Sequence, residues 1–121
     1  MRPEVKKSNL YKEFKTEERC CIVETANDSG DELVSISRAR VEPGVTTAWH
    51  KLKGVSERYI IISGQGRVEI SDLDPVDVFE GDVVRIPEDT PQRITNTGQM
   101  DLIFYAVCSP RFQTSCYIGL E

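Results

Sequence analysis

Ten runs rich in Val, Ile, Thr and aromatic residues, each about as long as a strand, follow one another along this chain with turn residues between them. They cover residues 19–25, 33–41, 45–50, 57–63, 66–71, 75–79, 82–86, 91–96, 101–108 and 115–119. The punctuation comes from Asn27-Asp28-Ser29-Gly30, Pro43-Gly44, Gly64-Gln65-Gly66, Asp72 to Pro75, Glu80-Gly81-Asp82 and Asn96-Thr97-Gly98, residue types that tolerate tight turns. No segment sustains a helical apolar period. A chain of 121 residues has room for one core. So many strands around one core must close into a sandwich or barrel, because a single open sheet would leave its apolar face in water. The sequence therefore predicts an all-β domain over residues 19–121. Residues 1–18 read as an N-terminal arm, in which 8–18 (SNLYKEFKTEE) suit a single turn or an extended segment.

Charge narrows the partners. Fifteen basic against twenty acidic residues give a net charge of −5, and the basic residues are scattered apart from Arg2, Lys6, Lys7 and Lys12. Nucleic-acid phosphates call for a concentrated positive face, so no nucleic-acid partner is expected. No run approaches the roughly 18 apolar residues of a membrane span, and Met1-Arg2-Pro3 leads into charged residues rather than an apolar signal core. The expectation is a cytoplasmic protein with no membrane partner. Cys20, Cys21, Cys108 and Cys116 fit neither a zinc ribbon nor a redox CxxC pair. Adjacent Cys20 and Cys21 point to opposite faces of a strand, and buried free thiols are the reading.

Strand parity then places side chains. On 57–63, Glu57, Tyr59, Ile61 and Ser63 share one face, with Arg58, Ile60 and Ile62 on the other. On 45–50, Thr46, Ala48 and His50 lie opposite Val45, Thr47 and Trp49, and small neighbours leave His50 room for a cavity. Arg38 and Arg40 share a face of 33–41 with Val34 and Ile36. One of them entering the barrel would pair Glu57, whose burial is costly unless it is paired or protonated. With Tyr59, these arginines make a candidate ligand pocket suited to a small anionic or sugar-like molecule.

The order of residues resembles the cupin family. Gly44, His50, Glu57 and Gly64 fall at the places of the first cupin motif, G-x5-H-x-H-x4-E-x6-G, with Leu52 where its second histidine would stand. Gly81, Pro87 and Asn96 match the second, G-x5-P-x-G-x2-H-x3-N, with Asp89 for the glycine and Gln92 for the histidine. The resemblance implies a double-stranded β-helix, or jelly roll, with the two motifs lining one end of the barrel. It also implies a divalent metal held by the motif side chains, which here are His50, Glu57 and Gln92.

One imidazole, one carboxylate and one carboxamide suit a weakly held Mn, Zn, Fe or Mg ion with water in the open positions. A two-histidine, one-carboxylate iron triad cannot be built from a chain with one histidine. The alternative for His50 is a hydrogen-bonded cavity or core residue. Three function classes follow: a binding barrel for a small molecule, a metal-dependent enzyme of the isomerase or dioxygenase kind with Glu57 as ligand or base, and a structural barrel without a ligand. A homodimer is expected from the open sheet edges and from Ile60, Ile62 and Trp49 opposite the cavity. Beyond Pro110, Arg111 and Phe112 either fold over the barrel mouth or simply end the strand.

Overall fold

The computed structural model describes residues 1–121 as two antiparallel sheets packed face to face. The first sheet runs in the order β1 (Phe14–Lys15), β2 (Cys21–Ala26), β3 (Ser35–Val41), β10 (Leu102–Ser109), β5 (Ser56–Ser63) and β8 (Val83–Ile86). The second is β11 (Tyr117–Gly119), β4 (His50–Leu52), β9 (Gln92–Asn96), β6 (Gln65–Ile70) and β7 (Val76–Phe79). This is the jelly roll that the cupin resemblance implies, and it meets the need of so many strands for a closed, two-sheet core. No helix is long and apolar enough to cross a membrane.

Alternation builds the core. Glu57, Tyr59 and Ile61 of β5, Leu102, Phe104, Ala106 and Cys108 of β10, and Gln92, Ile94 and Asn96 of β9 all turn inward and are buried. Ile60 and Ile62 stand outside, 37% and 40% exposed. At one end Val41, Ile61, Ile94 and Leu102 pack into a closed apolar plug. Asn96 fastens it, donating from Nδ2 to the carbonyls of Val41 and Met100 at 2.8 Å each and accepting from the Gly98 N–H. The motif asparagine is thus a structural residue. Gly64 closes the adjacent turn at φ +83°, and a Cβ there would meet the Asp101 carbonyl oxygen at 2.6 Å. Asp89, standing where the motif has glycine, adopts φ +60°, a conformation aspartate tolerates.

One local expectation changes. The run 45–50 is not a continuous strand: only Thr46 bridges Thr95, and β4 begins at His50. Here the Thr47 hydroxyl accepts from the Ile94 N–H at 3.0 Å, taking the place of a ladder carbonyl, so that Thr47 and Ala48 are buried together and the alternation breaks. Within the expected arm, Leu10–Lys12 form a single 3-10 turn and β1 pairs with β2, Phe14 opposite Ile22.

Candidate functional site

The opposite end of the barrel is hollow. A cavity of about 550 Å³ opens there, walled by Phe14, Leu52, Phe104, Phe112 and Tyr117 and carrying a polar group on each sheet. The first sheet supplies Glu57 and Cys108, directly opposite one another in the β5–β10 ladder, and Tyr59 one pleat further in. The second supplies His50 and Gln92, directly opposite in the β4–β9 ladder. His50, Glu57 and Tyr59 line the cavity itself, and Gln92 is joined to Glu57 and Tyr59 by hydrogen bonds.

His50 is 5% exposed, and its ring stacks on Tyr117 with centroids 4.9 Å apart. Its Nδ1 lies 2.8 Å from the Ala48 carbonyl oxygen. A carbonyl only accepts, so Nδ1 carries the proton and the lone pair of the neutral ring sits on Nε2. No group of the chain hydrogen-bonds Nε2, which belongs to the cavity wall.

Across from it runs a buried chain of hydrogen bonds. The Tyr59 hydroxyl donates to Gln92 Oε1, Gln92 Nε2 donates to Glu57 Oε1 at 2.6 Å, and Cys108 Sγ donates to Glu57 Oε2 at 3.6 Å. Gln92, 1% exposed, is the link that satisfies both neighbours. Burial raises the Glu57 carboxyl above the ordinary carboxylate range, against the opposing pull of the Gln92 hydrogen bond and nearby His50. Burial likewise raises the Tyr59 hydroxyl and the Cys108 thiol, each pushed further by Glu57.

Glu18 is the residue that sequence reasoning missed. It lies in the turn between β1 and β2 rather than in a strand, and its carboxylate comes within 3.7 Å of His50 Nδ1. Burial raises its carboxyl too, with His50 pulling the other way. Tyr117 was equally unmarked, although its aromatic ring in a run of strand residues was the available signal. All four thiols are free, and Cys20 and Cys108 line the cavity.

Arg38 and Arg40 do not enter the barrel. Inward positions on β3 fall to Ser35, Ser37, Ala39 and Val41, while both guanidiniums lie on the outer face and close on Glu13, Arg40 at 2.7 Å and Arg38 at 3.4 Å. Their pairing with Glu13 removes the expected pocket cations, and with them the basis for an anionic ligand. Trp49, expected opposite the cavity, lines it instead, with the Arg93 guanidinium 5.3 Å from its ring centre, because the alternation of 45–50 is broken. Phe112 folds back against Leu52, Val55 and Cys108, while Arg111 pairs with Glu32 at 3.1 Å.

His50, Glu57 and Gln92 therefore converge as the motif spacing predicts, but as donors they do not fit a resident Mn, Zn, Fe or Mg ion. Both Glu57 oxygens already accept hydrogen bonds, the Gln92 oxygen is taken by Tyr59, and Leu52 carries no donor atom. Of the three side chains only the imidazole presents a ligand atom with no hydrogen-bond partner, where a divalent ion needs at least three protein ligands or several oxygens. No group of three His, Cys, Asp or Glu side chains gathers at a point that could hold a metal.

A two-sheet roll with one packed end and one hollow polar end defines a small double-stranded β-helix protein. Residues 37–108 match the Cupin domain family, and the chain belongs to it. A relative from Methanocaldococcus jannaschii, the uncharacterized protein MJ1618, is 35% identical over 68 residues, 56% of this chain and 54% of that protein. The chain thus spans about half the length of the curated relative it matches. Among solved structures, a predicted oxalate decarboxylase from Thermotoga maritima superposes with a TM-score of 0.69 at 26% identity, covering 75% of this chain and 80% of that one. The nucleoside dehydratase Pac13 superposes with a TM-score of 0.77 at 16% identity, covering 95% of this chain and 90% of its own. At that identity Pac13 shows a shared fold.

Proposed function

We propose that this barrel binds a small organic molecule in its hollow end through direct contact with His50, without a resident metal. The observation that carries the reading is the contact of His50 Nδ1 with the Ala48 carbonyl oxygen at 2.8 Å on a ring that lines the cavity: the carbonyl only accepts, which places the proton on Nδ1 and leaves Nε2 as an acceptor with no partner in the chain. A ligand hydroxyl or N–H would donate to it, with the Tyr117 ring and the wall of Phe104 and Phe112 covering the apolar part. The only histidine of the chain makes a direct test available by ¹⁵N NMR. The ring should show a protonated Nδ1 and a bare Nε2, and a bound fragment should shift Nε2 selectively. A ring protonated on Nε2 instead, or a fragment library that never perturbs it, refutes the reading.

A second reading is favoured by one observation, the presence of a raised carboxyl on Glu57 in the same cavity as the Nε2 lone pair. His50 Nε2 and a buried carboxyl in one cavity are the pair that moving a proton from one atom of a substrate to another calls for, the chemistry of an isomerase or a dehydratase, once a substrate displaces Gln92 or Cys108 from Glu57. Pac13, a nucleoside dehydratase on this fold, supports the class of reaction but not the substrate. A homodimer through the outer faces, where Ile60 and Ile62 are exposed, belongs to the same proposal, and light scattering at high protein concentration tests it.

A further inference from the structure

We infer that the ligand of this cavity is a cation, a small molecule bearing an ammonium or amidinium group beside an apolar ring or chain. The inference rests on the binding reading above and adds the ligand's charge. Glu18 and Glu57 line the interior of the cavity, and Glu17, Glu24 and Glu121 its mouth, against a single basic side chain, Arg19. That arginine is already spent: its Nε donates to the Thr46 carbonyl at 2.8 Å and its Nη2 to the Glu121 carboxylate at 3.0 Å. Arg38 and Arg40 are held on the far side of β3 by Glu13. No lysine or arginine of the chain neutralises the interior.

Two acceptor groups of the cavity have no hydrogen-bond partner in the chain. The Glu18 side chain is only 20% exposed, yet no group of the chain donates a hydrogen bond to its carboxylate. Its nearest polar neighbour, His50 Nδ1 at 3.7 Å, gives its proton to Ala48. The second group is independent of the acidic residues: His50, 5% exposed, turns an unpartnered Nε2 acceptor into the same space. Both are acceptors. What they have in common is a need for a ligand rich in N–H donors, which an ammonium or amidinium supplies and a carboxylate or ether does not. Tyr117 and Trp49 add aromatic rings to the wall, one face of each already taken by His50 and by Arg93 and the other able to attract a cation. Glu57 is not available for this pairing, since Gln92 and Cys108 occupy its oxygens. Glu18 is therefore the residue that reads the charge.

The test is a matched set of probes of one shape: benzylamine, benzyl alcohol and benzoate, titrated against the full chain by ligand-observed NMR at low and at high salt. Benzylamine should bind roughly tenfold or more tightly than benzyl alcohol, with the difference shrinking as salt screens it, and benzoate should not bind. Glu18→Gln should bring benzylamine down to the level of the alcohol while leaving the alcohol unchanged. Equal affinity for amine and alcohol in the wild type, or tighter binding of benzoate, overturns charge selection and leaves the cavity reading standing. Failure of all three to bind or to shift the His50 Nε2 signal overturns the cavity reading as well. Because the wild-type comparison decides by itself, misfolding of the variant rescues nothing.

Discussion

Replacing Gln92 by leucine tests whether the carboxamide is the link between two buried polar groups. The substitution nearly conserves volume, so the loss comes from polar groups rather than from a cavity. It removes the donor to Glu57 Oε1 and the acceptor of the Tyr59 hydroxyl, both in a region where Gln92 is 1% exposed. Each orphaned group costs about 1–3 kcal/mol, so Gln92→Leu should destabilise by about 2–6 kcal/mol, a large share of the roughly 5–15 kcal/mol that holds a domain together. With a urea slope of about 2 kcal/mol per M, the unfolding midpoint followed by far-UV circular dichroism should fall by about 1–3 M. The companion Tyr59→Phe, Gln92→Leu, Glu57→Met chain removes the three linked polar groups at once and should recover to within about 2 kcal/mol of the wild type, because only the weakly donating Cys108 thiol is left unpaired. A single variant whose midpoint stays within about 0.3 M of wild type, or a triple variant as unstable as the sum of its parts, would refute the reasoning.

Other outcomes follow from the same geometry. Arg40→Ala should cost about 1 kcal/mol in urea, the worth of a partly buried, solvent-screened ion pair with Glu13, and leave fragment binding unchanged because Arg40 lies outside the barrel. Glu18 has its carboxyl raised by burial, so the folded state holds more protons than the unfolded one above the ordinary carboxylate range, and stability falls as pH rises through that window. Glu18→Gln should accordingly match wild type near pH 4 and become relatively more stable towards pH 7 in parallel melts. Asn96→Ala loses two donated bonds and one accepted bond, and should lower stability by about 2–4 kcal/mol by calorimetry. Wild-type protein should show no stoichiometric zinc or manganese by elemental analysis, whereas the Leu52→His, Gln92→His double variant, which fills both vacant motif positions, should take up one ion per chain.

How much of this was legible in the sequence depends on what carried each position. The inward row Glu57, Tyr59, Ile61 follows from a period of two, and the convergence of His50, Glu57 and Gln92 from the spacing of two motifs. Parity also put Arg38 and Arg40 on one face of their strand, but it could not say which face. The apolar Ile36 beside them pointed inward, whereas the true inner row is the small set Ser35, Ser37, Ala39 and Val41. What fixes the arginines outside is Glu13, about 25 residues away in a segment with no pattern to extend. Glu18 was hidden for a related reason. It sits in the charged stretch TEER, beside Arg19 at φ +65°, where the chain turns and no strand period reaches it. The state of the motif donors was equally illegible, since spacing says that Gln92 reaches the site but not that Tyr59 and Glu57 occupy both ends of its amide.

Trp49 is the one tryptophan of the chain, and it stands at the rim of the hollow end under the Arg93 guanidinium. The molecule therefore carries its own optical reporter at the doorway of the cavity. A guest that displaces water from the indole or moves Arg93 off its face will change the emission wavelength and lifetime without any label. Since nothing else in the chain emits as an indole, that signal belongs to the mouth alone, and stopped-flow fluorescence can time entry and exit there while the rest of the barrel stays silent.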